Sequence, residues 1–159
     1  MQTEYEKLGE LIKDIRVAMV TTVESDGTLH TRPLASLAYG NDGQLWFYTA
    51  VDSAKVDEVM HDVRASVAFA DTEQDAYVAA SGTAEIVTDR QRIHELWTTF
   101  AKPWFPDGPD DPKLALLRVH VERAEYWTSA GKAAYLFGVA KAAVTGKRTD
   151  MGENRKLTM

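Results

Sequence analysis

The chain has 159 residues, 45% of them hydrophobic and 26% charged, with a net formal charge of −6 and no cysteine. That is about one domain, long enough to bury a core without staples and far from a disordered composition. The missing cysteine excludes disulfides, thiolate nucleophiles and cysteine metal sites, and the acidic balance disfavours nucleic acid and anionic membranes as partners.

In chain order, Leu8, Leu11, Ile12 and Ile15 form one apolar stripe at helical spacing. The period then changes. Residues 16–23 (RVAMVTTV) read as a strand, 24–27 (ESDG) as a turn, 28–38 as a second strand, 39–43 (YGNDG) as a turn and 45–50 (LWFYTA) as a third strand, together an antiparallel meander. Asp52 or Ser53 caps a short helix with Val56, Val59, Met60 and Val63 as its stripe. Residues 65–71 and 76–88 are strands, and Gly82 inside the second suggests a bulge or a close approach of another group. Asp89 caps a helix carrying Ile93, Leu96, Trp97 and Phe100 on one face. Residues 102–112 (KPWFPDGPDDP) hold four of the five prolines and cannot form regular structure. Residues 116–127 are a strand, with Leu117, Val119 and Val121 alternating against Arg118, His120 and Glu122. Residues 132–144 suit a short helix, and the polar end is expected to be loose.

Strands with helices between some of them imply a small antiparallel barrel with attached helices, filled by its own side chains, so that a ligand sits outside it or at a subunit junction. No run reaches the roughly 18 apolar residues of a membrane span. The opening MQTEYEKLGE is mixed and acidic, unlike a secretory leader, so a cytoplasmic protein is expected.

Common catalytic signatures are missing. There is no GxGxxG, GxxxxGK[ST] or GxSxG, and His30, His61, His94 and His120 are scattered without metal-ligand spacing, so no metal site is expected. Three other features suit an anion or a flat ligand. Arg32 lies in a strand beside Pro33, which confines that strand to an edge or bulge. An arginine on rigid β-structure can hold a phosphate bidentately, and the plain alternative is a surface arginine. Lys55 falls in the first turn of its helix, an unfavourable end for a cation unless an anion sits there with the Ser53 hydroxyl and the helix N–H groups. Aromatic side chains gather at Trp46–Tyr48, Trp104–Phe105 and Tyr126–Trp127. Trp46 and Tyr48 share one strand face and Phe47 takes the other; one face must be core, and the other is open to a planar ligand or an interface.

The segments RVAMVTTVESDGTLHTRPLA, LWFYTAVDSAKVDEV, ASVAFAD, YVAASGTAEIV, WFPDGPDDP and AVTGK, in that order, resemble the general stress protein 26 branch of the pyridoxamine 5′-phosphate oxidase-like, FMN-binding split-barrel proteins. The resemblance implies a mostly β fold, a six-stranded antiparallel split β-barrel with peripheral helices, homodimeric, with two FMN sites at the junction. It implies one domain over 1–150 and a flexible tail over 151–159. Carried onto this chain, Arg32 and Lys55 would contact the phosphate, with Ser53 close by. Arg32, Pro33, Leu34, Ala35 and Ser36 would run along the polar edge of the ring system. Tyr48 and Thr49 match an aromatic–Thr pair beside the flavin, Trp127 a late-strand tryptophan near the site, and Trp104 a lid from the insert.

The resemblance stops short of vitamin B6 oxidation: DRQRIHELWTTFAK does not carry the Tyr…Arg…Ser set that holds that substrate's phosphate, and the terminal arginine segment is absent. No histidine suits a haem ligand. The expected function is therefore an FMN-dependent oxidoreductase of unknown substrate, with NAD(P)H as the candidate reductant. The alternative is a non-catalytic module that stores or senses FMN.

Overall fold

The computed structural model describes residues 1–130, 132–147 and 152–159. In order the elements are α1 (Glu4–Ile12), β1 (Val17–Val23), β2 (Leu29–Ala35), β3 (Gln44–Ala50), α2 (Ala54–His61), β4 (Arg64–Asp71), β5 (Ala76–Val87), α3 (Arg90–Leu96), β6 (Leu114–Ser129), α4 (Lys132–Thr145) and β7 (Gly152–Thr158). Two short 3₁₀ turns, Thr99–Ala101 and Gly108–Asp110, punctuate the proline-rich insert.

The strands form one antiparallel sheet in the order β2-β1-β4-β5-β6-β3. The sheet curls until its two ends meet at a single bridge, Ser36 to Phe47. This is a six-stranded split barrel, open along most of the β2–β3 seam. The meander expected over the first three strands is half right. β1 and β2 form a hairpin, but β3 pairs with β6 and touches the end of β2 only at that bridge. The alternation of the strands explains the choice: Leu45 and Phe47 must face the barrel interior with Val119 and Leu117, their register partners on β6.

Inside the barrel lie Val20, Phe47, Val67, Phe69, Val78, Val119, Val121 and Tyr126, with Leu8 and Ile12 of α1 packed against them. Thr3 starts α1 with a capping box: its hydroxyl accepts the Glu6 N–H at 3.1 Å, and Glu6 accepts the Thr3 N–H at 2.8 Å. A second core sits on the outside of β3 and β6. Trp46, Leu114 and Leu116 are covered there by Ile93 of α3 and by Ala101 and Phe105 of the insert. The face of β3 that carries Trp46 and Tyr48 is therefore mostly core as well, and a planar ligand there could reach only its Tyr48 end.

Gly82 satisfies both expectations at once. The β5–β6 register shifts between Ser81 and Gly82, and a Cβ at Gly82 would lie 1.8 Å from the His120 carbonyl oxygen. The helix capped by Asp89 ends at Leu96, so Phe100 is not on its face but exposed in the following turn. In α2, Val59 and Glu58 are buried, while Met60 is 76% exposed and Val63 lies beyond the helix.

The polar end was expected to be loose over 151–159. Instead Gly152–Thr158 is β7, paired along Arg123–Ser129 of β6, with Leu157 buried in the barrel core. The reason lies in β6, whose sixteen residues are covered by β3 only as far as His120 on that edge. β7 pairs the remaining edge. The expected domain boundary between 150 and 151 lies outside the described residues. No helix among the described residues is long and apolar enough to cross a membrane.

Candidate functional site

The seam where the barrel stays open is the place where β2, β3, α2 and the insert converge. β2 is the edge strand of the sheet. Every second residue of an edge strand turns its N–H and C=O away from its neighbour, here β1, and leaves them free for another partner. Pro33, which has no N–H to donate, fits such an edge.

A cavity of about 540 Å³ occupies this seam. Pro33, Leu34 and Ala35 form one wall, Tyr48 and Thr49 the floor, and Lys55 one end. Phe100 and Trp104 of the insert form the far wall, both 66% exposed, with ring centroids 5.8 Å apart. Phe105 and Ala101 beside them are buried in the second core and anchor that wall. Tyr48 fixes the start of the insert, because its hydroxyl donates to the Leu96 carbonyl at 2.6 Å and accepts the Thr98 N–H at 2.8 Å.

At the cationic end, Ser53 stands at the N-cap of α2, yet its hydroxyl does not cap the helix. It lies 3.0 Å from the Thr49 hydroxyl and accepts from Lys55 Nζ at 3.2 Å. Burial lowers the Lys55 pKa from its ordinary value, the Arg32 charge lowers it further, and Glu58 opposes both.

Arg32 belongs to the same cluster but faces the barrel side of β2. Its Nη1 donates to the Thr22 hydroxyl at 2.5 Å, and its Nη2 donates to Glu58 Oε2 at 2.6 Å and lies 2.8 Å from His30 Nδ1. Thr22 also donates to Glu58, and Glu58 Oε1 lies 2.9 Å from His30 Nδ1. Burial alone would raise the Glu58 pKa. Hydrogen bonds from Thr22, His30 and Arg32, with the Arg32 charge, overcome it and bring the group down to about 2. Glu24, His30 and Glu58 each place one ligand atom within 4.8 Å of the others. The Arg32 guanidinium, however, already donates into that group, so the arrangement is an ion-pair network around Arg32.

Of the residues expected from sequence, Pro33, Leu34, Ala35, Tyr48, Thr49, Lys55 and Trp104 share the cavity, and Ser53 touches Lys55. Arg32 does not line it, and its charge acts on Lys55 at the cavity's edge. Two fall elsewhere in the single chain. Ser36 closes the barrel bridge and lines a separate cavity of about 580 Å³ with Gly9, Arg16 and Tyr39. Trp127 is 41% exposed at the opposite end of β6, between Tyr77 and Asn154. Sequence reasoning missed Phe100, Lys113 and above all Glu58. The available signal for Glu58 was its place three residues after Lys55 on the same helix, beside the buried Val59.

Residues 3–150 match the family described as pyridoxamine 5′-phosphate oxidase like. Among curated proteins, protein bli-3 of Neurospora crassa is 30% identical over 165 residues, covering 95% of this chain and 78% of that protein. Among solved structures, a general stress protein 26 of Jannaschia superposes with a TM-score of 0.78 at 27% identity, covering 98% of this chain and 96% of that one. The general stress FMN/FAD binding protein of Xanthomonas citri gives 0.67 at 30% identity, covering 78% and 87%.

Proposed function

The chain belongs to the pyridoxamine 5′-phosphate oxidase-like family, and from that premise we propose that the seam cavity binds FMN in a homodimer, as a flavin-dependent oxidoreductase whose reductant is NAD(P)H. The observation that carries this reading is the pairing, in one cavity, of a cationic end at Lys55 with an open edge strand and an aromatic wall. Each part matches one part of the cofactor. The phosphate takes Lys55, Ser53 and Arg32. The polar edge of the isoalloxazine takes the unpaired backbone groups of β2 along Pro33–Ala35. The apolar ring lies between Tyr48 and the Trp104 side. A bound flavin supplies the redox chemistry, and this chain binds, orients and shields it. That division of labour accounts for the lack of a catalytic triad.

The dimer is supported by the outer face of the sheet. Val17, Met19, Leu29, Tyr77 and Trp127 are all exposed there. The register joins Pro33 to Met19, Met19 to Ala68 and Ala68 to Ala79, a continuous stripe of apolar side chains that begins at the cavity wall. Apolar sheet surface of this extent marks an interaction site. A second chain laid on it would cover the open side of the cavity and bring in a Trp127 from outside.

Purified protein should be yellow, or become so with FMN, and Lys55→Ala should weaken FMN binding about tenfold or more. A colourless protein that ignores added FMN overturns the reading. Anaerobic mixing with NADH and NADPH then separates turnover from storage, since an FMN-loaded protein that neither reductant bleaches is a storage or sensing module.

A further inference from the structure

Glu58 is a fully charged carboxylate in a half-closed barrel mouth, with its side chain only 8% exposed. Such a group is costly unless it is paired, and its partners here are few and specific. It receives Arg32 and Thr22 on one oxygen and faces His30 on the other. It sits one helical turn after Lys55, so both project from the same side of α2. Arg32 comes from β2. The Arg32–Glu58 pair therefore ties the helix that carries Lys55 and Ser53 to the strand that lines the cavity.

We propose that Glu58 is the positioning residue of the anion site: its carboxylate fixes the Arg32 guanidinium, locks α2 against β2 and holds Arg32 and Lys55 together as one preassembled cationic pair that selects a phosphorylated ligand over its dephosphorylated form. This rests on the flavin reading above and adds a specificity element to it.

Charge supplies the reason for a carboxylate at this place. Two half-buried cations side by side repel each other, and the one able to shed its proton is Lys55. The Glu58 carboxylate opposes that tendency before any ligand arrives. The groups facing Lys55 are Arg32 from β2, Glu58 from its own helix, and the Asp52–Lys113 pair, whose charged atoms lie 3.5 Å apart at the cavity rim. His30 and Glu24 stand behind Glu58. Arg32 keeps donors in hand: Nε and the second Nη1 hydrogen are not used by Thr22, His30 or Glu58. The network can thus hold the guanidinium in place and still offer these two N–H groups, each singly, to a phosphoryl group.

The test compares FMN with riboflavin, which has the same ring and lacks the phosphate. Dissociation constants for both are measured by quenching of flavin fluorescence from pH 6 to 10, on the parent protein, Glu58→Gln and Glu58→Asp. Thermal melts accompany each variant. The parent is expected to prefer FMN, with a preference that fades as Lys55 loses its proton. Glu58→Gln should cut that preference about tenfold or more, the scale of one lost hydrogen bond to a charged group. It should also move the alkaline fade to lower pH and leave riboflavin binding unchanged. Glu58→Asp, which keeps the charge on a shorter arm, should restore the alkaline limb and part of the preference. It also stands in if Glu58→Gln does not fold: an Asp protein with a weakened FMN preference and intact riboflavin binding supports the proposal. A Gln variant that keeps the parent's FMN preference and pH profile, or binds FMN more tightly, overturns it. A parent protein that binds FMN no better than riboflavin defeats the phosphate-site reading itself, a different failure.

Discussion

Arg32 Nη2 and Glu58 Oε2 lie 2.6 Å apart across the barrel mouth, joining the second strand to the helix after the third. Two structural consequences follow. The edge strand cannot peel away without stranding a carboxylate, and α2 cannot rotate without stranding a guanidinium.

The pair also couples stability to pH. Glu58 titrates at about 2 in the folded chain, against 4.5 for an ordinary glutamate. A depressed folded pKa means that the unfolded chain binds the proton more readily. The stabilisation is therefore complete above about pH 4.5 and is lost as the pH falls toward 2. At about 1.36 kcal/mol per pH unit the increment is on the order of 3 kcal/mol. Denaturant melts of the parent between pH 7 and 2.5 should show this fall. Glu58→Gln should start lower at pH 7 and show a shallower acid limb. Parallel limbs in the two proteins would remove Glu58 from the account.

Gly82 offers a sharper structural test. The bulge brings the His120 carbonyl to 1.8 Å from where a Cβ would stand, and the neighbouring contact is backbone as well, at 2.9 Å. Neither atom can yield as the tip of a long side chain would. Gly82→Ala should cost about 3 kcal/mol or more, or prevent folding, while Ala→Gly at the exposed Ala79 on the same strand should cost no more than about 1. Equal melting temperatures for Gly82→Ala and the parent would mean that the two strands separate at this point at little cost.

Most of the barrel was legible because its strands alternate. In β1 the buried Ala18, Val20 and Thr22 face inward, and exposed Val17 and Met19 face out. Two elements were not legible, for opposite reasons. GENRKLT has one apolar residue, Leu157, and no period to read; it becomes a strand only because β6 outruns β3 and leaves an edge to fill. In α2 the apolar stripe misleads. Met60 looks like core and is exposed, while Glu58 looks like surface and is buried, because the ligand of that face is a guanidinium from β2. At the cavity, local order pointed to Lys55, whose partner Ser53 is two residues away, while Tyr48 and Thr49 came from the family resemblance. Phe100 and Lys113 reach the cavity only through the folding of the insert, which sequence spacing does not encode.

That account of β7 has a direct consequence. Leu157 is its one anchor in the core, at 2% exposure, and Tyr126 beneath it donates to Glu153 at 2.5 Å. Burial and the Glu153 carboxylate push the Tyr126 hydroxyl up to about 12. Leu157→Ala should cost about 2–4 kcal/mol. It should also release the strand ahead of global unfolding, so amide exchange at Arg155 and Lys156 should rise well before that of β5. Uniform exchange across β5, β6 and β7 in the variant would show that the last strand is integral to the cooperative unit.

Tyr48 carries the final expectation, because it belongs to both the cavity and the insert. Its hydroxyl replaces the backbone bonds that α3 cannot make at its end, taking the Leu96 carbonyl and the Thr98 N–H together. Tyr48→Phe keeps the ring and its tilted contact with Trp97, 6.0 Å between centroids, and strands both backbone groups. The cost should be about 1–3 kcal/mol, the scale of leaving such groups unpaired. The loosened turn leads straight into Phe100 and Trp104, so the far wall of the cavity should lose definition before the barrel does. Exchange of the Thr98 and Ala101 amides should quicken while that of β1 and β4 holds. Tight flavin binding should suffer through the wall rather than the phosphate, and the variant should lose affinity for riboflavin and FMN by the same factor. A loss confined to FMN would place the Tyr48 hydroxyl at the anion end instead, against the geometry of its two backbone partners.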